Sequence, residues 1–352
     1  MRRTKLTLER LEGRSLLSAN LPTLAADMAI DERVAPMSAD AAVWSTADVT
    51  KVSGQINVDS NGIPDLIWRS SSGAYVAWID GDSSTPRVLG GGGDWSLEAV
   101  GDFDHNGASD FVWRLATNGA NVLWLMNADG GGGIVSSTVI GGTTRWRIEA
   151  TGDYDNDLKA DLVWRESVSG ANVMWLMNGA ATASSAAIGG DAAWRLVSAD
   201  EAFDANGDGK TDCIWRNSAS GVCVIRIMNG SSVTESRAIG GNATWAPVVA
   251  TDIDMDGCGD LLWRDASTGI IVQRLMTTTG DIKQADVIGG NSQWSLANTY
   301  GFTVLGARLV FWRDGTSGAV VVKCFSGNAY LDESAVLGGS QQWTLLARPG
   351  RS

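Results

Sequence analysis

Asp153-Tyr154-Asp155-Asn156-Asp157-Leu158-Lys159-Ala160-Asp161-Leu162-Val163-Trp164-Arg165 decides the fold, because the chain writes it again and again. Acids at positions 1, 3, 5 and 9 form a tight loop, and the apolar run that follows ends in Trp-Arg. The same Trp-Arg pair stands at 68–69, 113–114, 164–165, 215–216, 263–264 and 312–313, at spacings of 45, 51, 51, 48 and 49 residues. A second ladder keeps the same step. An aliphatic-Gly-Gly triplet (Leu89, Ile140, Ile188, Ile239, Ile288 and Leu337 with the two glycines after each) lies six residues before Trp95, Trp146, Trp194, Trp245, Trp294 and Trp343. Two ladders in phase mean six repeats of about 50 residues.

Each repeat reads as four short strands. In the second, these are Trp95 to Phe103, Phe111 to Leu115, Asn121 to Met126 and Ile134 to Ile140, with Gly-rich turns between them. Antiparallel four-stranded units at this period predict an all-β, six-bladed β-propeller. The repeats fall at about 48–94, 95–145, 146–193, 194–244, 245–293 and 294–342. A surplus strand at 343–348 is left to close the ring beside the first blade, unless the N-terminal stretch does so. Residues 1–30 form a targeting-like segment and 31–47 a linker.

The loops between strands one and two carry the chemistry. Five repeats place oxygen-bearing side chains at loop positions 1, 3, 5 and 9. They are Asn57, Asp59, Asn61, Asp65; Asp102, Asp104, Asn106, Asp110; Asp153, Asp155, Asp157, Asp161; Asp204, Asn206, Asp208, Asp212; and Asp252, Asp254, Asp256, Asp260. Alternate carboxylates in a tight loop turn toward one centre, and hard oxygen ligands in that number suit Ca²⁺. Up to five ions are expected, with a glycine at position 6 (Gly62, Gly107, Gly209, Gly257) permitting the sharp turn and Leu158 departing from it. An EF-hand is excluded, since position 12 is a strand tryptophan where that motif needs a bidentate Glu between helices. The sixth repeat has Gly301, Thr303, Leu305 and Leu309 at these positions and is expected to be metal-free.

Composition narrows the function. There are 40 acidic against 27 basic residues, a net charge of −13, which argues against nucleic acid as a partner. Five Ca²⁺ would offset ten of those charges. No apolar run approaches the ~20 residues of a membrane helix. With His105 the single histidine, and inside an acidic loop, a Ser-His-Asp site cannot be assembled, so no enzyme is expected. Cys213, Cys223, Cys258 and Cys324 lack the spacing of a zinc or redox motif. Cys213 and Cys223 could form one disulfide or stay as buried thiols. Every blade needs the same core, so the repeating tryptophans read as packing between blades. Strand three differs: Trp78, Trp124 and Trp175 occupy in three repeats the position of Arg226, Arg274 and Lys323 in the others. These three tryptophans are the candidates for a ligand platform.

The acidic loops followed by Asp-Leu-Ile-Trp-Arg (65–69), Asp-Leu-Val-Trp-Arg (161–165) and Asp-Leu-Leu-Trp-Arg (260–264) resemble the FG-GAP/VCBS-type repeats, whose blades are similar to those of the integrin alpha-subunit propeller. The resemblance covers roughly residues 48–348. It implies a calcium-binding propeller and, for function, an extracellular binding or adhesion module whose partner is a surface protein or glycan. A lectin-like carbohydrate-binding propeller is the alternative, and a polysaccharide hydrolase or lyase the third reading. Kelch propellers share the period and the Gly-Gly pairs but lack the acidic loops. Leu8-Glu9-Arg10-Leu11-Glu12-Gly13-Arg14-Ser15-Leu16-Leu17 resembles, without its proline, the LEPR-XLL segment of planctomycete surface and secreted proteins. That resemblance implies a secreted or cell-surface location, and the chain is expected to be a monomer.

Overall fold

The computed structural model describes residues 49–50, 56–62, 65–81, 86–198, 203–298, 303–304, 307–326, 329–338 and 343–345. The targeting-like segment, the linker and residues 346–348 of the closing strand lie outside them. The described chain is an all-β propeller of four-stranded antiparallel blades. Blade two is Trp95–Gly101, Asp110–Leu115, Asn121–Met126 and Ile134–Gly141, within two residues of the strands read from sequence. Blade three begins at Trp146–Gly152 and Asp161–Glu166, blade four at Trp194–Ser198 and Cys213–Asn217, and blade five at Trp245–Thr251 and Asp260–Asp265.

Blade one takes its innermost strand from the other end of the chain. Trp343–Leu345 pairs with Leu66–Ser70, Leu345 opposite Trp68 and Trp343 opposite Ser70, so the C-terminal segment closes the ring. Closure removes the free edge that Leu66–Ser70 would otherwise present. Deleting residues 343–352 is expected to cost about 3 kcal/mol, from lost backbone hydrogen bonds worth ~1 kcal/mol each and a bared strand edge. A truncated chain that melts with the parent would show the segment to be a tail.

The expectation of six four-stranded blades is corrected. Five sheets have four strands, and the last repeat forms a six-stranded sheet that also takes in Val49–Thr50. The reason lies in the missing acidic loop. Where blades two, three and five turn through eight residues between strands one and two, Thr303–Val304 folds back on Arg308 and Ala307, and strand two lengthens to eight residues, Ala307–Asp314. That edge then accepts the extra N-terminal strand.

The core lies between blades. Phe103, Val112 and Leu123 of blade two meet Leu162, Trp164 and Met177 of blade three, and equivalent clusters join blades three to four and four to five. Strand two is therefore buried on both faces, as the first five residues of Asp110–Leu115 show. The Trp-Arg dipeptide reaches both ways. Trp68, Trp113, Trp164, Trp215, Trp263 and Trp312 are 0–4% exposed. Trp164 and Trp215 lie against the preceding blade, while the following arginine grips the next one. Arg114 donates through Nη1 to the carbonyls of Gly119 and Trp146 and through Nη2 to that of Thr143, and Arg165 repeats the pattern on Gly170, Trp194 and Asp191.

The Gly-Gly ladder has an equally local cause. A Cβ on Gly142, Gly190, Gly241 or Gly290 would run into the carbonyl of the strand-two to strand-three turn glycine, and the backbone there has φ of 92–103°.

Strand three shows why tryptophan in one half of the ring can stand where arginine stands in the other. Trp78, Trp124 and Trp175 lie on Trp68, Trp113 and Trp164 at centroid distances of 4.5, 5.4 and 4.8 Å. Arg226 and Arg274 lie over Trp215 and Trp263 at 4.7 and 4.3 Å. Either group caps the strand-two indole, by ring contact or by cation–π attraction. Trp78 is buried and the other two are half-buried, so these rings are engaged in packing, not held out as an open platform. Cys213, Cys223 and Cys258 are buried free thiols, and no disulfide joins Cys213 to Cys223.

Candidate metal-binding loops

The acidic loops each lead into a strand two and are hydrogen-bonded one to the next, so they lie on one face of the ring. Their conformation is shared. Position 4 is left-handed in every loop (Ser60, His105, Asn156, Gly207 and Met255, φ 60–77°), so His105 is an exposed turn residue. Position 6 is left-handed as well, and its N–H reaches the position-1 carboxylate in four loops: Gly107 to Asp102, Leu158 to Asp153, Gly209 to Asp204 and Gly257 to Asp252, at 2.7–3.1 Å. Leu158 holds the same geometry as the glycines at φ 69°, at the cost that a side chain brings there. Its side chain is exposed, so Leu158→Gly is expected to stabilise the fold by about 0.5–1 kcal/mol, read as a higher urea midpoint. A lower midpoint would show that Leu158 contributes packing.

Position 9 does a different job from the one expected of a plain ligand. Asp65, Asp110, Asp161, Asp212 and Asp260 are fully buried. Their Oδ2 atoms accept the N–H of position 2 (Val58, Phe103, Tyr154, Ala205, Ile253) at 2.5–3.1 Å. Their Oδ1 atoms accept an N–H from the end of strand three (Asp80, Met126, Met177, Met228, Met276) at 2.7–2.8 Å. Each carboxylate thus ties its loop to the outer half of its blade. Burial pushes all five up to about 7, against the pull of these N–H donors. Asp104, Asp153 and Asp155 are raised too, first by burial.

Carboxylates converge as the spacing predicted, with changes in detail. Asp102, Asp104 and Asp110 each offer an oxygen within 4.8 Å of the others. So do Asp153, Asp155 and Asp161, and Asp252, Asp254 and Asp260. These are positions 1, 3 and 9. Position 5 stays out of the groups. Asn106, Asp157, Asp208 and Asp256 accept the N–H of position 7 at 2.7–3.0 Å, and Lys159 and Lys210 pair with Asp157 and Asp208. In the fourth loop position 3 is Asn206, and Asp204, Asp208 and Asp212 do not form a three-carboxylate group. In the first loop the third carboxylate comes from Asp80, beside Asp59 and Asp65.

The oxygens fit a hard cation. Asp104 Oδ1 and Asp254 Oδ1 are buried in their clusters with no hydrogen-bond partner, and the Asp254 side chain is only 7% exposed. A buried carboxylate oxygen without a donor is costly unless a cation meets it. In the fifth loop Lys283, on strand four, sets its ammonium 2.7 Å from Asp254 and 3.0 Å from Asp256.

Neighbouring loops are stitched together. The position-8 N–H of each donates to the position-1 carbonyl of the loop before: Ser109 to Asn57, Ala160 to Asp102, Thr211 to Asp153 and Gly259 to Asp204, at 2.6–2.8 Å. The opposite side of the ring carries an arginine-lined cleft of about 250 Å³ between blades three and four, walled by Arg147, Arg165 and Arg195 with Glu149 and Ser167. Arg147 is anchored by the buried Glu98 of blade two at 2.9 Å. Sequence reasoning missed Asp80, Lys283 and Glu98: the first two lie in no repeating motif, and Glu98 has a counterpart only in Glu149 of the next repeat.

Family comparison agrees with this geometry. The FG-GAP-like repeat matches residues 102–164 and 204–263, each stretch running from position 1 of one loop to the strand-two tryptophan of the next repeat. Those two stretches are FG-GAP-like repeats, set in a chain folded as a β-propeller. No curated protein matches its sequence. Among solved structures it is similar in outline to a chain of the nidogen–laminin complex (13% identity, 81% of this chain and 99% of that one, TM-score 0.49). It is also similar to the β-propeller domain of Myceliophteria thermophila Cps50 (Swd1) (10% identity, 82% and 88%, TM-score 0.48). No helix among the described residues is long and apolar enough to cross a membrane.

Proposed function

We propose that the protein is a calcium-stabilised binding module, secreted or held at a cell surface, and that it is not an enzyme. The observation that carries the calcium reading is the partnerless, buried carboxylate oxygen in the clusters of loops two and five. Oxygen-only donors on flexible loops suit Ca²⁺ better than Mg²⁺, which demands a rigid octahedron. The ions would brace one face of the ring, leaving the other face and the blade edges to meet a partner. A surface protein or glycan is the partner class this reading names, with adhesion as the role.

A carbohydrate-binding role is the second reading, and the arginine-lined cleft favours it. Three guanidinium groups on a chain of net charge −13 form a local cationic patch suited to the carboxylate of an acidic sugar. Screening acidic and neutral glycans with Ca²⁺ and with chelator separates the two readings. Retention of acidic glycans that is lost in Arg195→Ala supports the lectin. No glycan binding, with Ca²⁺-dependent capture of cell-surface protein, supports adhesion. Turnover on a polysaccharide panel would overturn the non-enzymatic reading.

A further inference from the structure

We infer that Asp80, which lies outside the acidic loop, is the third carboxylate ligand of the first metal site, in the place that position 1 holds in loops two, three and five. The inference rests on the cation binding proposed above. In those three loops the converging carboxylates are positions 1, 3 and 9. In the first loop position 1 is the uncharged Asn57, and the group is made by Asp59, Asp65 and Asp80, their oxygens again within 4.8 Å of one another.

Asn57 supplies an independent sign of a ligand. It is 7% exposed, its Nδ2 donates to the Gly107 carbonyl of the next blade at 3.0 Å, and its buried Oδ1 has no partner. A neutral amide oxygen in that state suits a cation as its partner and adds no charge to the site.

The register explains why Asp80 can serve. In blades two to five the N–H that meets the position-9 Oδ1 belongs to a methionine sixteen residues further on. In blade one the interval is fifteen, and the donor is Asp80 itself, at 2.7 Å. Its backbone turns into the left-handed region there, φ 53° and ψ 24°. One amide, Asn61 Nδ2, donates to both Asp59 Oδ2 at 3.0 Å and Asp80 Oδ1 at 2.7 Å. A rotation of that amide would present Asn61 Oδ1 to a cation at the same place. With Asp80 counted, the first loop holds three carboxylates, equal to the second. It is not the weakest of the five, as its own two acids suggest.

The test counts Ca²⁺ bound to the full chain, stripped with chelator and then titrated by calorimetry and native mass spectrometry. Asp80→Asn suits the left-handed backbone, since Asn tolerates that region well. It is expected to lose one ion, or to weaken one by at least tenfold, with an unchanged circular dichroism spectrum in chelator. Adding Asn57→Asp to Asp80→Asn should restore that ion by returning a carboxylate to position 1. If Asp59→Asn loses an ion while Asp80→Asn binds as the parent does, Asp80 is no ligand and the calcium reading stands. If the parent chain binds no Ca²⁺, both fall together.

Discussion

Asp161→Ala is expected to destabilise the propeller by about 4 kcal/mol, and to do so in chelator as well as in calcium. The side chain is fully buried, and its two oxygens meet the N–H groups of Tyr154 and Met177, which are themselves buried. Alanine leaves both donors without an acceptor where water does not reach, at roughly 1–3 kcal/mol each. Removing a carboxylate whose burial is costly gives part of this back. The stranded donors outweigh it because they sit at the two ends of a tie between loop and strand three. Asp161→Asn keeps one acceptor oxygen and should cost less. Asp155→Ala, in the same loop but exposed, should matter in calcium and hardly at all in chelator. Urea midpoints of the three variants in both conditions decide it. If Asp161→Ala falls within 0.5 kcal/mol of the parent in chelator, position 9 serves the ion alone and is no strut.

Repetition made most of the fold legible. Trp164 and Arg165 recur because every blade must fill the gap behind it and grip the blade ahead. Gly190 recurs because every connection crosses the turn beneath it. These needs are local and identical, so they leave ladders in the sequence. What escaped notice depends on register between strands. Asp80 faces the first loop because of a one-residue change in the strand-three interval. Lys283 reaches loop five from strand four, and Glu98 meets Arg147 across a blade boundary. Trp78, Trp124 and Trp175 misled because a half-ring of aromatics suggests a surface. Arg226 and Arg274 cap the same indoles in blades four and five, which makes the pattern a choice between two ways of covering tryptophan. The sixth repeat kept both ladders while losing the loop, and there the four-stranded blade gave way to a larger sheet.

Chelation is expected to produce the largest change of all. Four clusters each hold three carboxylates within 4.8 Å, and without a cation their mutual repulsion opposes the fold. An ion that binds the folded loop and hardly the unfolded chain stabilises by mass action. At ten times the dissociation constant, a condition millimolar Ca²⁺ meets for a site near ~0.1 mM, each site contributes about 1.4 kcal/mol. Four independent sites give roughly 5–6 kcal/mol, of the order of a whole domain's net stability. The melting temperature should therefore fall steeply in EDTA, recover with Ca²⁺ and recover poorly with Mg²⁺. The fourth loop, with Asn206 at position 3 and Lys210 on Asp208, should bind most weakly. Lys283→Ala should sharpen the calcium dependence, because the tethered ammonium stands on Asp254, a carboxylate of the cluster an ion would take. Thr303→Ala, in the repeat without an acidic loop, should leave the ion count unchanged. A melting curve indifferent to EDTA, or no more than one bound Ca²⁺ per chain, would mean that hydrogen bonds and lysines alone hold these loops, and the acidic face would then need another explanation.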